Sequence, residues 1–290
     1  MAHYSNFRRR YNTYNPVLTG EDVSASTVKR EIGIVYLALG EEHMGLTVLS
    51  ISFLRRFGYS GPIRVITDRG GWNVGDLDFE VLNPTSVGTL YASRYYKTQI
   101  NKHGFPTTLF LDTDMLCISP IDRIWHNLQS AELCMSLELP RVSNFIDYYW
   151  KRWEWMRPEL TYMYQSGLAG HRFYNSGLIL FRQSAVTDRL FDTWHEEWKR
   201  FGGQDQCALV RALARTGIKP HVLPARWNCP PTLFRSIEEA QSLGIRILHF
   251  FSGTQRLRLP EFIQQFQHAL GGRSPDGRSD HNEKHVAVKR

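Results

Sequence analysis

Two stretches of this 290-residue chain set chemically useful side chains at useful spacing, and a third concentrates flat rings. Asp112 and Asp114 flank Thr113 directly after the apolar run Leu109-Phe110-Leu111. A buried strand has no use for two unpaired charges, because desolvating each costs several kcal/mol unless something compensates. At the C-terminal end of a strand the same pair can point into the crevice where open α/β sheets bind ligands. Two adjacent carboxylates suit a hard divalent cation, Mg or Mn, shared with phosphate groups. Asp-Thr-Asp is also an ordinary capping or turn cluster, and that reading stands beside the metal one. His249 sits inside the apolar run Ile245 to Phe251, either as a satisfied core histidine or as a ligand. Between residues 140 and 172, Tyr148, Tyr149, Trp150, Trp153, Trp155, Tyr162 and Tyr164 crowd together with Arg152 and Arg157. They are either the core face of an amphipathic helix or a wall on which a sugar or another flat ligand stacks.

The elements that must hold these residues follow from hydrophobic periodicity. Ile32 to Gly40 is a continuous apolar run ending in glycine, the pattern of a strand buried on both faces. Met44, Val48, Ile51, Leu54 and Phe57 fall on one helical face, which Gly58 and Gly61-Pro62 end. Ile63 to Asp68 is the next strand, so the chain opens with a βαβ unit. A short strand over Phe79–Leu82, a helix from Leu90 to Lys102 and the Asp112 strand follow. A short helix over Ile121–Leu128 and a strand over Glu132–Leu137 come next. Asn175-Ser176-Gly177 reads as a polar turn into a strand ending at Phe181. Ser184 caps a helix with the stripe Leu190, Trp194, Trp198 and Phe201, stopped by Gly202-Gly203. Gln204-Asp205-Gln206 opens another helix, where Asp205 can be no more than an N-cap. A strand and turn at His221–Asn228, a last buried strand over Ile245–Phe251 and a helix from Pro260 to Leu270 complete the pattern.

Composition narrows the function classes. The net charge of +7 is concentrated at the ends. Residues 1–30 carry five basic and two acidic groups, and residues 271–290 five basic and three acidic, so little of the excess is left for the body. A basic nucleic-acid groove is therefore not indicated, despite a sequence pI near 9.3. Cys117, Cys134, Cys207 and Cys229 are well spaced and form no C-x-x-C pair, as expected for reduced thiols of a cytoplasmic protein. The N-terminal residues lack the apolar core of a signal peptide, and no apolar run approaches the roughly 18 residues of a membrane span.

Taken in order, these pieces resemble a glycosyltransferase of the GT-A fold, most like the family 8 enzymes such as glycogenin and the bacterial lipopolysaccharide galactosyltransferases. The resemblance covers residues 31–256. It rests on five stretches in the right order: Ala38-Leu39-Gly40, Phe110-Leu111-Asp112-Thr113-Asp114, Asn175-Ser176-Gly177, Gln204-Asp205-Gln206 and His249-Phe250-Phe251-Ser252-Gly253. It implies an α/β fold in which a Rossmann-like, mostly parallel central sheet is flanked by helices. That single domain would span residues 30–270, between a polar arm (1–29) and a disordered tail (271–290), with 140–172 as an aromatic-rich insertion on the acceptor side.

The same resemblance implies residue roles. Asp112, Asp114 and His249 would hold Mn2+ or Mg2+, and a neutral imidazole suits Mn better than Mg. The ion would bridge the phosphates of a nucleotide-diphosphate sugar donor. Leu37, Ala38 and Gly40 would border the base and ribose, with Thr113 beside them on the donor side. Lys97 would lie near the donor sugar or phosphates, and Asn175 and Gly177 would line the sugar pocket. Asp205 and Gln206 would be the catalytic pair beside the reacting carbon. Gly253 and Arg256 would face the diphosphate. Here the chain departs from the family, with one extra residue before Gly253 and with Arg256 and Arg258 where the family has lysine. Tyr148, Trp150, Trp153 and Trp155 are the acceptor candidates.

The expected activity is metal-dependent transfer of a sugar to an acceptor, with retention of configuration. In a retaining reaction the product phosphate oxygen takes the acceptor proton, while Asp205 or Gln206 stabilises the oxocarbenium-like charge. An inverting reaction needs a carboxylate base on the far face, for which Asp205 is the candidate. The alternative is a nucleotide- or partner-binding protein that keeps the fold without turnover.

Overall fold

The computed structural model describes residues 31–71, 75–82 and 89–251, and beyond them residues 255, 259, 260, 263 and 264. The expected arm and tail, and Gly253, Arg256 and Arg258, lie outside the described residues. Of the expected last helix, Pro260, Ile263 and Gln264 are helical, and the rest also lies outside.

The chain opens with β1 (Ile32–Ala38), α1 (Gly40–Arg56) and β2 (Ile63–Thr67), followed by β3 (Asp78–Val81) and α2 (Thr89–Lys97). Then come β4 (Thr107–Leu111), β5 (Met115–Cys117) and β6 (Leu133–Leu139). Helices α3 (Val142–Tyr149) and α4 (Arg157–Gln165) precede β7 (Phe173–Arg182). The remainder is α5 (Ala185–Phe201), α6 (Asp205–Thr216), β8 (His221–Leu223), α7 (Ile237–Ser242) and β9 (Ile247–His249).

Among the described residues, seven strands form one sheet in the order β3-β2-β1-β4-β7-β6-β8. All its pairings are parallel except the two made by β7, which runs against its neighbours β4 and β6. The sheet is mostly parallel, as expected. Its apolar runs are continuous because both faces are covered. Side chains alternate across β1, so Ile34, Tyr36 and Ala38 pack with Met44, Ile51 and Leu54 of α1. Val35 and Leu37 pack on the other side with Leu190, Trp194 and Trp198 of α5 and Leu209 of α6. The expected stripe of α5 is therefore a core face, and its ends carry the expected signals. Ser184 and Thr187 form a capping box, and Gly202 ends the helix at φ +61°.

Several boundaries differ from the sequence reading. Helix α1 starts at Gly40 rather than near Met44, because the Gly40 N–H finds a cap in Asp68 Oδ1 at 2.9 Å. The expected Leu90–Lys102 helix changes after Lys97 to a 3-10 turn, Ile100–His103. The short helix before β6 is also 3-10, Asp122–Leu128. Asn175-Ser176-Gly177 is not a turn but part of β7. The run Ile245–Phe251 is strand only over β9, which stands outside the main sheet and pairs antiparallel with β5. Helix α7 was not expected. Met115 lies opposite His249 in the small β5–β9 ribbon. That pairing brings the Asp114 segment and His249 together across more than 130 residues of chain.

Candidate active site

The strands end in a common rim. Asp112 follows β4, and its N–H continues the ladder to Gly177 O of β7 at 2.7 Å. Asp114 is carried by the turn into β5, where the Phe250 N–H donates to its carbonyl at 2.9 Å. Asp114 and His249 are 5% and 2% exposed, and His249 Nε2 lies 3.3 Å from Asp114 Oδ1. One potential ligand atom from each of Asp112, Asp114 and His249 falls within 4.8 Å of the others.

The second ring nitrogen fixes how His249 can act. Its Nδ1 is 3.0 Å from Asn228 Oδ1, and Asn228 Nδ2 donates to Asn175 Oδ1 at 2.9 Å. With the Asn228 amide so oriented, its oxygen takes the Nδ1 proton and leaves a lone pair on Nε2 facing the aspartates, the usual arrangement behind a metal-binding histidine. Asn175 Oδ1 also accepts the Gly177 N–H at 2.8 Å, and Asn175 Nδ2 donates to Glu138 Oε2 at 2.9 Å. Gln206 Nε2 donates to the same Glu138 oxygen and to Tyr174 O at 3.2 Å. One chain of hydrogen bonds thus runs from His249 to Gln206. It is reachable because the β6–β7 register is irregular around Leu137 and Leu139, next to Tyr174 and Asn175. Gly177 must lack a side chain here: a Cβ would come within 2.5 Å of His249 Cε1 and 2.9 Å of Asp112 Oδ2.

Positive charge is supplied from α2. Lys97 Nζ lies 2.9 Å from both Asp112 oxygens and 3.5 Å from Asp205 Oδ2. Burial works to lower the Lys97 pKa, but Asp112 and then Asp205 outweigh it and hold the ammonium above its ordinary value. The partner carboxyl does not mirror this. Burial pushes the Asp112 carboxyl up, Lys97 opposes, and neighbouring Asp114 pushes it further up. One ammonium is thus shared between Asp112 and Asp205, and the Asp112–Asp114 pair is a place where a divalent cation would fit.

Asp205 opens α6 after the turn that closes α5. Arg94 Nη1 and Trp198 Nε1 both donate to Gly203 O, at 3.0 and 3.3 Å, and Trp194 Nε1 donates to Asp205 O at 2.7 Å. The carboxylate accepts from Ser176 Oγ at 2.6 Å, with Arg94 Nε 4.0 Å away. Burial would raise its pKa, yet Lys97, the Ser176 hydroxyl and Arg94 hold it below the usual carboxylate range. Asp205 is therefore an ionised, fully engaged carboxylate and not the N-cap of α6, which is Gln204.

Of the remaining expected residues, Thr113 is buried with Oγ1 2.9 Å from His43 Nδ1, at the start of α1. Leu37 and Ala38 are buried in β1, and Gly40 is partly exposed at its end. The aromatic stretch divides. Its own core is Val142, Phe145, Met156, Leu160 and Met163, packed on Phe173 and on Cys207 and Val210 of α6. Phe145, Tyr149, Trp153 and Trp155 form a ladder with ring centroids 4.3, 4.0 and 5.8 Å apart in turn. One part of the ladder is close to Glu138, which together with burial pushes the Tyr149 hydroxyl up. Another part reaches the Gly203 turn, where a Cβ would sit 3.6 Å from Trp155 Cζ3. Tyr148 instead lies under the Arg152 guanidinium at 3.8 Å, and Trp150 lines a groove shared with none of the residues above.

Sequence reasoning missed Asn228, Glu138, Ser176 and His43 as site residues. Trp227-Asn228 read only as a turn, and Glu138 as the residue after a strand; neither carries a local signal for what it bonds.

No protein-family model matches the sequence, and no curated protein matches it. Solved structures do. The galactosyltransferase LgtC, solved with donor and acceptor sugar analogs, aligns at 15% identity and a TM-score of 0.51, over 76% of this chain and 87% of LgtC. The bifunctional glycosyltransferase WbbM, solved in its apo form, aligns at 10% identity and a TM-score of 0.50, over 79% of this chain. This chain spans 47% of WbbM. With the order of strands and the position of the aspartates already in hand, the likeness establishes that the chain has the GT-A glycosyltransferase fold.

Proposed function

We propose that this protein is a metal-dependent glycosyltransferase that moves a sugar from a nucleotide-diphosphate donor to an acceptor, with retention. The observation that carries the reading is the Asp112, Asp114 and His249 group, with ligand atoms within 4.8 Å of one another beside a glycine that a Cβ would turn into a clash. Two carboxylates and a neutral imidazole suit Mn2+, and Mg2+ is the second choice. Bound there, the cation would neutralise the diphosphate leaving group. Lys97 adds a fixed ammonium beside the same group. LgtC was solved with donor and acceptor analogs together, and that supports a cleft serving two substrates.

Retention is favoured by the state of Asp205. A general base needs a pKa near the working pH. A carboxylate held low by Lys97, Ser176 and Arg94 is a weak base but a permanent negative charge. It suits stabilisation of positive charge on the sugar, with the Gln206 amide, fixed by Glu138, next to it. The inner ladder Tyr149-Trp153-Trp155, near Glu138 and Gly203, is the acceptor wall. Leu37, Ala38 and Gly40 edge the base and ribose. The cysteines, all buried and free, and the lack among the described residues of a helix able to cross a membrane fit a cytoplasmic enzyme.

The test is binding of uridine, guanosine and adenosine diphosphates, each with Mn2+, with Mg2+ and with chelator, read as a shift in melting temperature. At least one nucleotide should stabilise the protein only with metal, and Asp114→Ala should abolish the shift. Equal stabilisation with chelator would defeat the metal assignment. Release of free sugar from the matching donor separates an enzyme from a binding protein without turnover.

A further inference from the structure

On the outer side of the 140–172 insertion, helices α3 and α4 enclose an open groove of about 560 Å3. One wall is Ile146, Asp147, Trp150 and Lys151, and the other is Thr161, Tyr164 and Gln165. The second set has the spacing i, i+3, i+4 of one face of α4, whereas in the first Asp147 lies on α3 and Trp150 and Lys151 in the turn that follows it; each wall sets an aromatic ring between polar groups. Trp150 is 39% exposed and Tyr164 67%. Neither ring stacks on another ring among the described residues, unlike Tyr149, Trp153 and Trp155 a few positions away. No side-chain hydrogen bond or ion pair joins Asp147, Lys151, Thr161 or Gln165 to another described residue. The groove therefore offers two free aromatic faces, one anion, one cation, an amide and a hydroxyl.

We infer that this groove is a saccharide-binding subsite for the part of the acceptor that does not react. Sugar rings present a C–H face, which stacks on an aromatic ring, and a rim of hydroxyls that both donate and accept. The groove matches both features. Asp147 and Lys151 offset each other in charge, and Arg157, which donates to Trp150 O, is itself paired with Glu154, so the groove has no excess charge to recruit a phosphate or a strongly acidic chain and a neutral oligosaccharide fits it best. The volume lies within the range of sites that hold small ligands. The neighbouring residue Tyr149 belongs to the inner ladder, so α3 separates the groove from the proposed acceptor wall by a single helix, about 10 Å across. An oligosaccharide longer than one or two rings can engage both. This assignment rests on the transferase reading for its meaning, but its test does not.

The full-length chain, without metal or nucleotide, is applied to an array of neutral and acidic glycans that also carries tyrosine- and proline-rich peptides. The best neutral oligosaccharide is then titrated by saturation-transfer NMR. We expect at least one neutral glycan to be retained, and Tyr164→Ala and Trp150→Ala each to weaken it by about tenfold, or 1.4 kcal/mol. Trp150→Phe should retain most of the affinity, because the flat face is kept. Gln165→Ala should weaken binding without removing a ring, which covers the case in which an alanine variant at a ring fails to fold. Retention of peptides or acidic glycans alone, no retention at all, or unchanged affinity in the folded ring variants would overturn the subsite. Failure of metal-dependent nucleotide binding would overturn the transferase reading and leave this result standing.

Discussion

The residues around Asp112 and the residues of the 140–172 insertion both pack against α6, yet they treat polar and aromatic surface in opposite ways. At the site, Asp114 and His249 are almost wholly buried, and their neighbours Asn228, Asn175, Glu138 and Gln206 are tied into one hydrogen-bonded chain. In the insertion, the core is made of Met, Leu, Val and Phe, and Trp155 is left 57% exposed. A metal ligand or a charge beside a reacting carbon is useful only when its geometry is fixed in advance, which requires every partner to be satisfied. An acceptor surface works through shape and adaptable contact, which requires exposure. On the proposed reading, the two demands fall to separate segments held together through one helix, whose first turn carries Asp205 and Gln206.

The clamp between the two regions gives the largest expected effect. Arg211 of α6 is paired with Glu159 of α4 and with Glu197 of α5, whose Oε2 lies 3.1 Å from Arg211 Nε, and all three side chains are at most a tenth exposed. Even beside Arg211, burial leaves the Glu159 carboxyl above its ordinary value. Arg211→Ala leaves buried Glu159 without its paired cation and Glu197 with Arg215 alone, 3.6 Å away, and should cost about 3–5 kcal/mol in urea unfolding. If the regions are separable, the fraction that remains folded should still bind metal and nucleotide. Loss of nucleotide binding in the folded fraction would show that the insertion is part of the donor site.

A change inside the hydrogen-bonded chain should be milder for the fold and harsher for the metal. Asn228→Ala frees His249 Nδ1 and removes a donor from Asn175. Loss of a partner behind a metal-binding histidine typically lowers metal affinity by about 10–100-fold. Calorimetric titration with Mn2+ measures it directly. Unchanged affinity would mean that the imidazole is held by packing alone, and the contrast between an engaged site and an adaptable insertion would weaken.

Much of this was legible in the sequence because it is local. Continuous apolar runs gave β1, β2, β4 and β7, and Ser184 with Gly202 bounded α5 closely. Asp112 and Asp114 stood out because carboxylates at the end of an apolar run need a reason. The ribbon was not legible. The strand Ile247–His249 was expected within the longer run Ile245–Phe251, but Met115–Cys117 is a three-residue strand too short for alternation to show, and the pairing of the two is set by tertiary contacts. Asn228 and Glu138 were hidden for the same cause: their meaning lies in atoms 21 and 68 residues away, His249 and Gln206. In the insertion, aromatic composition offered a core face or a ligand wall, and the rings divide between buried and exposed positions in a way that composition does not show. The stacking order of Phe145, Tyr149, Trp153 and Trp155, and the separate groove at Trp150, depend on how α3 and α4 cross.

Trp155 tests the adaptable side. It is exposed and, among the described residues, stacks on Trp153 alone, with centroids 5.8 Å apart. Trp155→Ala should change stability by no more than about 0.5 kcal/mol, as for most surface substitutions. Its effect should fall on the acceptor, as a KM raised a few-fold in initial-rate kinetics, with donor hydrolysis barely altered. A drop in hydrolysis equal to the drop in transfer would place Trp155 in the donor site instead.

The smallest effect concerns pH, and it separates the regions by charge. Asp205 is ionised and held below the carboxylate range against the pull of burial, whereas the ladder of rings has no group that titrates near neutrality. A carboxyl whose folded pKa lies below its unfolded value of about 3.9 contributes stability that is fully present above pH 3.9. That contribution is lost as pH falls through the folded value, because below it the native and unfolded states bind the same proton. Wild-type urea midpoints should therefore change little through Asp205 between pH 7 and 5, and fall below about pH 4. Asp205→Asn should be less stable than wild type at neutral pH, with the gap narrowing as the pH drops below 4, since the variant has no proton to take up. Trp155→Ala should keep a constant offset across the same range. A gap between Asp205→Asn and wild type that stays constant down to pH 3 would mean that Asp205 holds its turn through shape and not through charge, and the electrostatic role assigned to it in the transfer would fall with it.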